Sequence, residues 1–226
     1  MPRFPNPLIA AADVSEPAAA VALAERLGDR VAMVKVGLEL FTAAGPAAVA
    51  DLREHVPVFL DLKLHDIPTT VERAAGNAAR LGVDLITVHA LGGPEMVRAA
   101  VRGSAAGASA AEVAPPRIMA VTVLSSLAGE GLALPSSLAF EAVSAGADGV
   151  VVSGEDVAQV REVIGAEPII VVPGIRPGGA PSNDHARVLT PAEALAAGAD
   201  YLVIGRPIAA APDPVAAAEA ILREVE

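Results

Sequence analysis

The 226-residue chain contains no cysteine, no tryptophan, one tyrosine and four phenylalanines. Without cysteine there are no disulfides and no thiolate metal sites. The shortage of aromatics leaves the core to Ala, Val, Leu and Ile, which suits helices packed on aliphatic strands. No uninterrupted apolar run reaches membrane-spanning length. The opening Met1-Pro2-Arg3-Phe4-Pro5 lacks a signal-peptide pattern, and the apolar stretch 8–12 is too short to make one. The expectation is a soluble cytoplasmic protein. Positive charge is also scarce. A net charge of −11 argues against a nucleic-acid backbone or an anionic membrane as partner. It leaves room for a small anionic ligand at a locally positive site. Lysine is scarcest of all: Lys35 and Lys63 are the only two, against fourteen arginines.

What is present is a rhythm. Eight short runs rich in β-branched residues fall at 8–13, 32–37, 58–63, 85–90, 118–124, 149–153, 169–174 and 201–205. Between them lie Ala-rich segments with helical spacing, among them 17–27, 69–81, 94–102, 137–145, 191–197 and 214–223. Pro17, Pro46, Pro94, Pro191 and Pro214 stand near helix starts, where a missing N–H is harmless. Gly28, Gly82, Gly146 and Gly198 follow helix ends, where a left-handed cap favours glycine. Three of these glycines belong to a recurring phrase, Leu-Gly-Val-Asp at 81–84 and Ala-Gly-Ala-Asp at 145–148 and 197–200. The alternation predicts an α/β protein, a (β/α)8 TIM barrel formed by the whole chain, 1–226, as a single domain. A doubly wound open sheet is the structural alternative. The Ala-, Ser- and Pro-containing segment 103–116 reads as a loop on the face away from the site.

Ligands of such barrels bind at the carboxyl ends of the strands. Asp13, Lys35, Asp61, Lys63 and His89 lie there, as do Ser125 just beyond the fifth run and Gly205-Arg206 at the end of the eighth. Strand alternation puts Asp61, Lys63 and His65 on one face and Leu60, Leu62 and Leu64 on the other. Lys35 shares a face with Met33 and Gly37. Buried Asp and Lys are costly unless paired, so an alternating array holds its charges together. Unlike Arg, a buried Lys shifts its pKa readily, which suits it to acid–base or electrostatic work. The plain alternative is a structural ion-pair cluster at a barrel rim.

The run Asp61-Leu62-Lys63-Leu64-His65-Asp66-Ile67-Pro68-Thr69-Thr70 resembles the signature of the orotidine 5′-monophosphate decarboxylase family. The resemblance extends to Lys35-Val36-Gly37-Leu38-Glu39-Leu40-Phe41-Thr42, Thr87-Val88-His89-Ala90, Pro173-Gly174-Ile175-Arg176-Pro177 and Tyr201-Leu202-Val203-Ile204-Gly205-Arg206-Pro207-Ile208. It implies a homodimeric lyase that converts orotidine 5′-monophosphate to UMP and carbon dioxide in de novo pyrimidine synthesis, with no cofactor. It implies a catalytic tetrad of Lys35, Asp61, Lys63 and Asp66, with Lys63 protonating C6 and Asp61 set against the substrate carboxylate. Asp66 and Thr70 would reach the site of the partner subunit. Asp13 and Thr70 match ribose contacts, Ser125 the hydroxyl that reads the pyrimidine edge, and Arg176, Gly205 and Arg206 phosphate contacts. The glycine-containing segment 175–190 is the candidate lid.

Three positions depart from the family pattern. His185 stands where the family usually has Gln in the lid, spanning phosphate and base. Imidazole donates to phosphate but cannot copy both ends of an amide, so weaker binding or a new pH dependence is expected. Ser125 replaces a common Thr and keeps the hydroxyl. Ala12 precedes Asp13 where Leu is common. The remaining histidines read as supporting groups: His55 as a surface or capping residue at a helix end, His65 and His89 as hydrogen-bonding residues behind the rim. No histidine spacing matches a metal site, and no metal is expected. Two other functions compete: a sister decarboxylase of 3-keto-L-gulonate 6-phosphate, and a non-catalytic nucleotide-binding barrel.

Overall fold

Strands and helices alternate through the computed structural model, which describes residues 5–123, 134–177 and 189–225. The strands are β1 (Leu8–Ala11), β2 (Met33–Val36), β3 (Val58–Leu64), β4 (Leu85–His89), β5 (Arg117–Val121), β6 (Gly149–Val151), β7 (Ile169–Pro173) and β8 (Tyr201–Ile204). The helices are α1 (Pro17–Leu27), α2 (Leu38–Ala44), α3 (Pro46–Arg53), α4 (Pro68–Arg80), α5 (Gly93–Ala110), α6 (Pro135–Ser144), α7 (Val157–Ile164), α8 (Pro191–Ala196), α9 (Arg206–Ala209) and α10 (Pro214–Val225). Each strand pairs in parallel with the next, and β8 returns to β1. The sheet is therefore a closed (β/α)8 barrel, and the open-sheet alternative is excluded.

The two faces of the strands build two apolar regions. Ile9, Met33, Phe59, Leu85, Met119, Val171 and Tyr201 point inward and fill the barrel. Their neighbours, including Leu8, Val34, Leu60, Ile86, Ile118 and Ile170, point outward and pack on the helices. One face thus supplies the plug and the other the interlayer core, as the period of two requires. Lys35 and Asp61 continue the inward rows of Met33 and Phe59 toward the carboxyl mouth. The plug closes the barrel beneath them, so the charges sit on an apolar floor.

The recurring Gly-Asp phrase has a structural reason. Asp84, Asp148 and Asp200 stand just before β4, β6 and β8. Each accepts, through its carboxylate, the backbone N–H of Val58, Ile118 or Ile170 on the preceding strand. Each also donates its own N–H to the carbonyl of that same residue. Three strand pairs are stapled at their N-terminal ends in one repeated way. At β1 the N–H of Leu8 is accepted by Asn6 instead. The preceding glycines Gly82, Gly146 and Gly198 have φ of 68°, 102° and 108°, the left-handed turn expected of a helix end.

The segment beginning at 103 departs from the reading as a loop. Helix α5 continues through it to Ala110. Its glycines are needed for close contact with α4: a Cβ on Gly103 would lie 1.9 Å from the carbonyl oxygen of Glu72, and one on Gly107 2.1 Å from that of Gly76. Among the described residues no helix is long and apolar enough to cross a membrane. A cavity of about 450 Å³ opens at the N-terminal mouth, lined by Met33, Arg53, Leu85, Arg117 and Tyr201 among others. It contains none of the candidate site residues selected from the sequence.

Candidate active site

The inward rows of β2 and β3 end in charge. Lys35 and Asp61 are buried, at 9% and 8% exposure. The Lys35 ammonium lies 2.9 Å from Asp13 Oδ1 and 3.9 Å from Asp61 Oδ2. Both oxygens of Asp61 accept from Lys63 Nζ, at 2.9 and 2.8 Å. The result is an alternating line, Asp13–Lys35–Asp61–Lys63, in which each buried charge has an opposite neighbour. Lys35 and Asp61, the two buried members, each have an opposite charge on both sides, which offsets the cost of burying them. Gly37 keeps the line compact. A Cβ there would sit 3.0 Å from Lys35 Nζ and 3.2 Å from Asp13 Oδ1.

The backbone of β3 is irregular at the place where the chemistry concentrates. Leu60 pairs with Ile86 and Leu64 with Val88, so four steps on β3 match two on β4. Lys63 absorbs the excess with φ of +50°, a left-handed conformation that few non-glycine residues adopt. Strain of this kind costs about 1–3 kcal/mol and persists only where surrounding contacts fix it. Here the Lys63 N–H donates to Thr87 Oγ1 at 2.8 Å, and the Thr87 hydroxyl donates to Asp61 Oδ1 at 3.0 Å. The simple alternation expected for residues 60–65 is thus modified by a bulge, although Asp61 and Lys63 still meet on the inner side.

His65 and His89 stack, with ring centroids 5.1 Å apart. Burial, and then repulsion from His65 and Lys63, hold the His89 imidazole below its ordinary pKa. Its Nδ1 is buried without a hydrogen-bond partner among the described residues. His55 lies near Glu25, with Nε2 3.6 Å from the carboxylate on the helical surface. Among the described residues no group of three or more His, Asp or Glu is placed to hold a metal ion.

Comparison with known proteins identifies the family of the chain. Residues 6–221 match the model of the orotidine 5'-phosphate decarboxylase / HUMPS family. The chain is 54% identical over 225 residues to orotidine 5'-phosphate decarboxylase of Anaeromyxobacter sp. (strain K), covering 95% of this chain and 96% of that one. It is 50% identical over 231 residues to the enzyme of Moorella thermoacetica, covering 97% and 92%. The crystal structure of orotidine 5'-phosphate decarboxylase from Lactobacillus acidophilus superposes with a TM-score of 0.85 at 39% identity, over 98% of this chain and 99% of that one. The chain belongs to the orotidine 5'-phosphate decarboxylase / HUMPS family.

The signature by which the chain resembles that decarboxylase family is split by the structure into two parts. Asp61 and Lys63 lie in the barrel mouth, whereas Asp66 and Thr70 are exposed on the rim. Asp66 accepts the backbone N–H of Ile67 at 2.7 Å, and among the described residues it forms no ion pair with either lysine. Gly205 faces the site from β8: a Cβ there would lie 3.7 Å from Asp13 Oδ2. Arg206 opens α9 on the same side, and Arg176 follows β7 with its N–H donating to the carbonyl of Leu189. Ser125 and His185 lie outside the described residues, as does the central part of the candidate lid, 178–188. Thr87 lies within the Thr87-Val88-His89-Ala90 motif, and the family resemblance implies no role for it. Its signal in the sequence is a hydroxyl at an inward position of a strand whose only other polar residue is His89.

Proposed function

We propose that the chain is a homodimeric, cytoplasmic enzyme in which Lys63 is the proton donor for decarboxylation of orotidine 5′-monophosphate. The reaction itself, conversion of that nucleotide to UMP and carbon dioxide in pyrimidine biosynthesis, is a carbon–carbon lyase step. The observation that carries the residue assignment is the Lys63–Asp61–Lys35 array at the closed floor of the barrel. Cleavage of the C6–carboxylate bond leaves its electron pair on C6, in the plane of the ring and outside the π system. Delocalisation gives little help, so a positioned cation is the available stabiliser. Lys63 Nζ then gives its proton to C6 and recovers one from solvent. Asp61 places negative charge where the substrate carboxylate would lie. Two like charges about 4 Å apart repel by about 4 kcal/mol at an effective dielectric near 20. That repulsion favours departure of neutral carbon dioxide.

The remote groups anchor the nucleotide. On this reading Asp13 and Lys35, with Thr70 of the partner subunit, hold the ribose side. Arg176, Gly205 and Arg206 hold the phosphate on the loops after β7 and β8, where barrels of this kind commonly bind it. Ser125 and His185 complete the base and phosphate contacts. Binding energy from those groups positions C6 against Lys63. Asp66 and Thr70 serve the partner's site. Their exposed place on the rim supports this, and so do exposed apolar side chains just beyond the carboxyl ends of β2, β3 and β4: Leu38 is 56%, Ile67 66% and Leu91 41% exposed. An apolar rim around an outward-facing carboxylate is the surface a second copy would cover.

The test is turnover of orotidine 5′-monophosphate in EDTA, following pyrimidine absorbance and carbon dioxide together. The wild-type chain should release both products. Lys63→Ala should lose turnover by about 10³-fold or more while still binding UMP. Near-normal turnover by Lys63→Ala would remove Lys63 from the role of proton donor. An inactive wild type that releases carbon dioxide from 3-keto-L-gulonate 6-phosphate would move the chain to the sugar-phosphate branch.

A further inference from the structure

The bulge in β3 leaves the Lys63 N–H without a place in the regular ladder, and the neighbouring strand answers with a side chain. Thr87 is fully buried at 0% exposure. It stands on the inward face of β4, above Leu85. A buried hydroxyl is costly unless its hydrogen-bonding capacity is used. Here it accepts from the Lys63 backbone and donates to Asp61 Oδ1. One hydroxyl therefore ties together the backbone of one charged residue and the carboxylate of the other. Its two partners are also joined directly, Lys63 Nζ to Asp61. The three residues form a closed ring of hydrogen bonds around the left-handed turn at Lys63.

We propose that Thr87 is a positioning residue for the decarboxylation, holding Lys63 in its left-handed conformation and Asp61 in a fixed orientation so that the ammonium meets C6. It acts through Lys63 and Asp61, so the inference rests on the assignment of Lys63 as proton donor. The chemistry of the side chain is specific. Valine has the same shape but offers neither lone pair nor proton. It would orphan the Lys63 N–H and free one side of the Asp61 carboxylate, relaxing the residue that stores the strain. Serine keeps both hydrogen bonds and loses only a methyl group.

Thr87→Val, Thr87→Ser and wild type are compared for kcat, for KM with orotidine 5′-monophosphate, for UMP affinity and for melting temperature. A misplacement of the proton donor by a fraction of a bond length to 1 Å lowers rate far more than it lowers binding. The expected result is a kcat reduced by about 100-fold in Thr87→Val, UMP affinity within about threefold of wild type, and recovery to within about threefold of the wild-type kcat in Thr87→Ser. A merely structural role would lower the melting temperature of Thr87→Val and leave its kcat unchanged. That outcome overturns the proposal, as does an equal loss in the serine variant. Should Thr87→Val fail to fold, Thr87→Ser is set against Thr87→Ala, and equal kcat values overturn the proposal in the same way. Lys63→Ala keeps the two readings apart. If it turns over normally, the proton-donor assignment falls and takes this inference with it. If it is inactive while Thr87→Val is fully active, only the role of Thr87 falls.

Discussion

At the scale of single residues, the site depends on neighbours that restrain charge. His89 shows this outside the ion-pair line. Its imidazole is buried against His65 and near Lys63, and these surroundings disfavour the cation. The folded chain therefore takes up that proton at lower pH than the unfolded chain, whose histidine titrates near the ordinary imidazole value of 6.5. The stability linked to His89 is fully present above the unfolded value and is lost as pH falls below it. Melting temperatures of wild type and His89→Gln, measured from about pH 8 to about pH 5.5, should show a steeper acid decline in wild type. Parallel curves would mean that His89 does not disfavour its cation in the folded state. The sequence made the charged residues of this region legible, because Lys and Asp at alternate positions of an apolar strand have to be paired. It did not reveal the positive φ of Lys63. That conformation comes from a register shift between two strands far apart in the sequence, and nothing local at Lys63 announces it.

At the scale of elements, the strands and most helix starts follow local rules, since proline opens helices and glycine closes them. Helix α5 is where local rules mislead. Gly103, Gly107 and the serines around them lower helix propensity, which favours reading a loop. Their purpose lies across the interface, where α4 approaches so closely that any Cβ would meet backbone. The Arg102–Glu72 ion pair, at 2.8 Å, spans the same two helices at the surface. Gly103→Ala should therefore be far more damaging than a surface glycine replacement. The expected loss is about 3 kcal/mol, or a drop in melting temperature of about 6–12 °C for a chain of this size. Gly165→Ala is the comparator. It has φ of +77° but open space around it, so only conformational strain of about 1 kcal/mol is expected. Equal losses in a thermal melt of the two variants would mean that α4 and α5 can separate without cost. The Gly-Asp phrase was half legible in the same sense. Its helix-ending glycines can be recognised from sequence, whereas the carboxylate staple to the preceding strand is a tertiary bond between residues about 26–30 positions apart.

At the scale of the whole molecule, closing the barrel brings β1, β2, β3 and β8 together, and with them Asp13, Lys35, Asp61, Lys63 and Gly205. The same closure leaves Asp66 and Thr70 exposed on the rim, Asp66 with no ion pair to either lysine among the described residues, and Leu38, Ile67 and Leu91 are exposed at the same end of the barrel. A site completed by a second copy reconciles these facts, and it makes a prediction that no single-subunit site shares. Lys63→Ala and Asp66→Ala homodimers should each be inactive. In a mixed dimer, the subunit that retains Lys63 faces a partner that retains Asp66, and the lesions collect in the other site. Equal mixing with free exchange makes half the dimers mixed, each with one working site, so activity should return to about a quarter of wild type. If Asp66 served its own chain, every site would carry one lesion. Mixed dimers verified by mass would then remain inactive, and the shared-site assignment of Asp66 would be wrong.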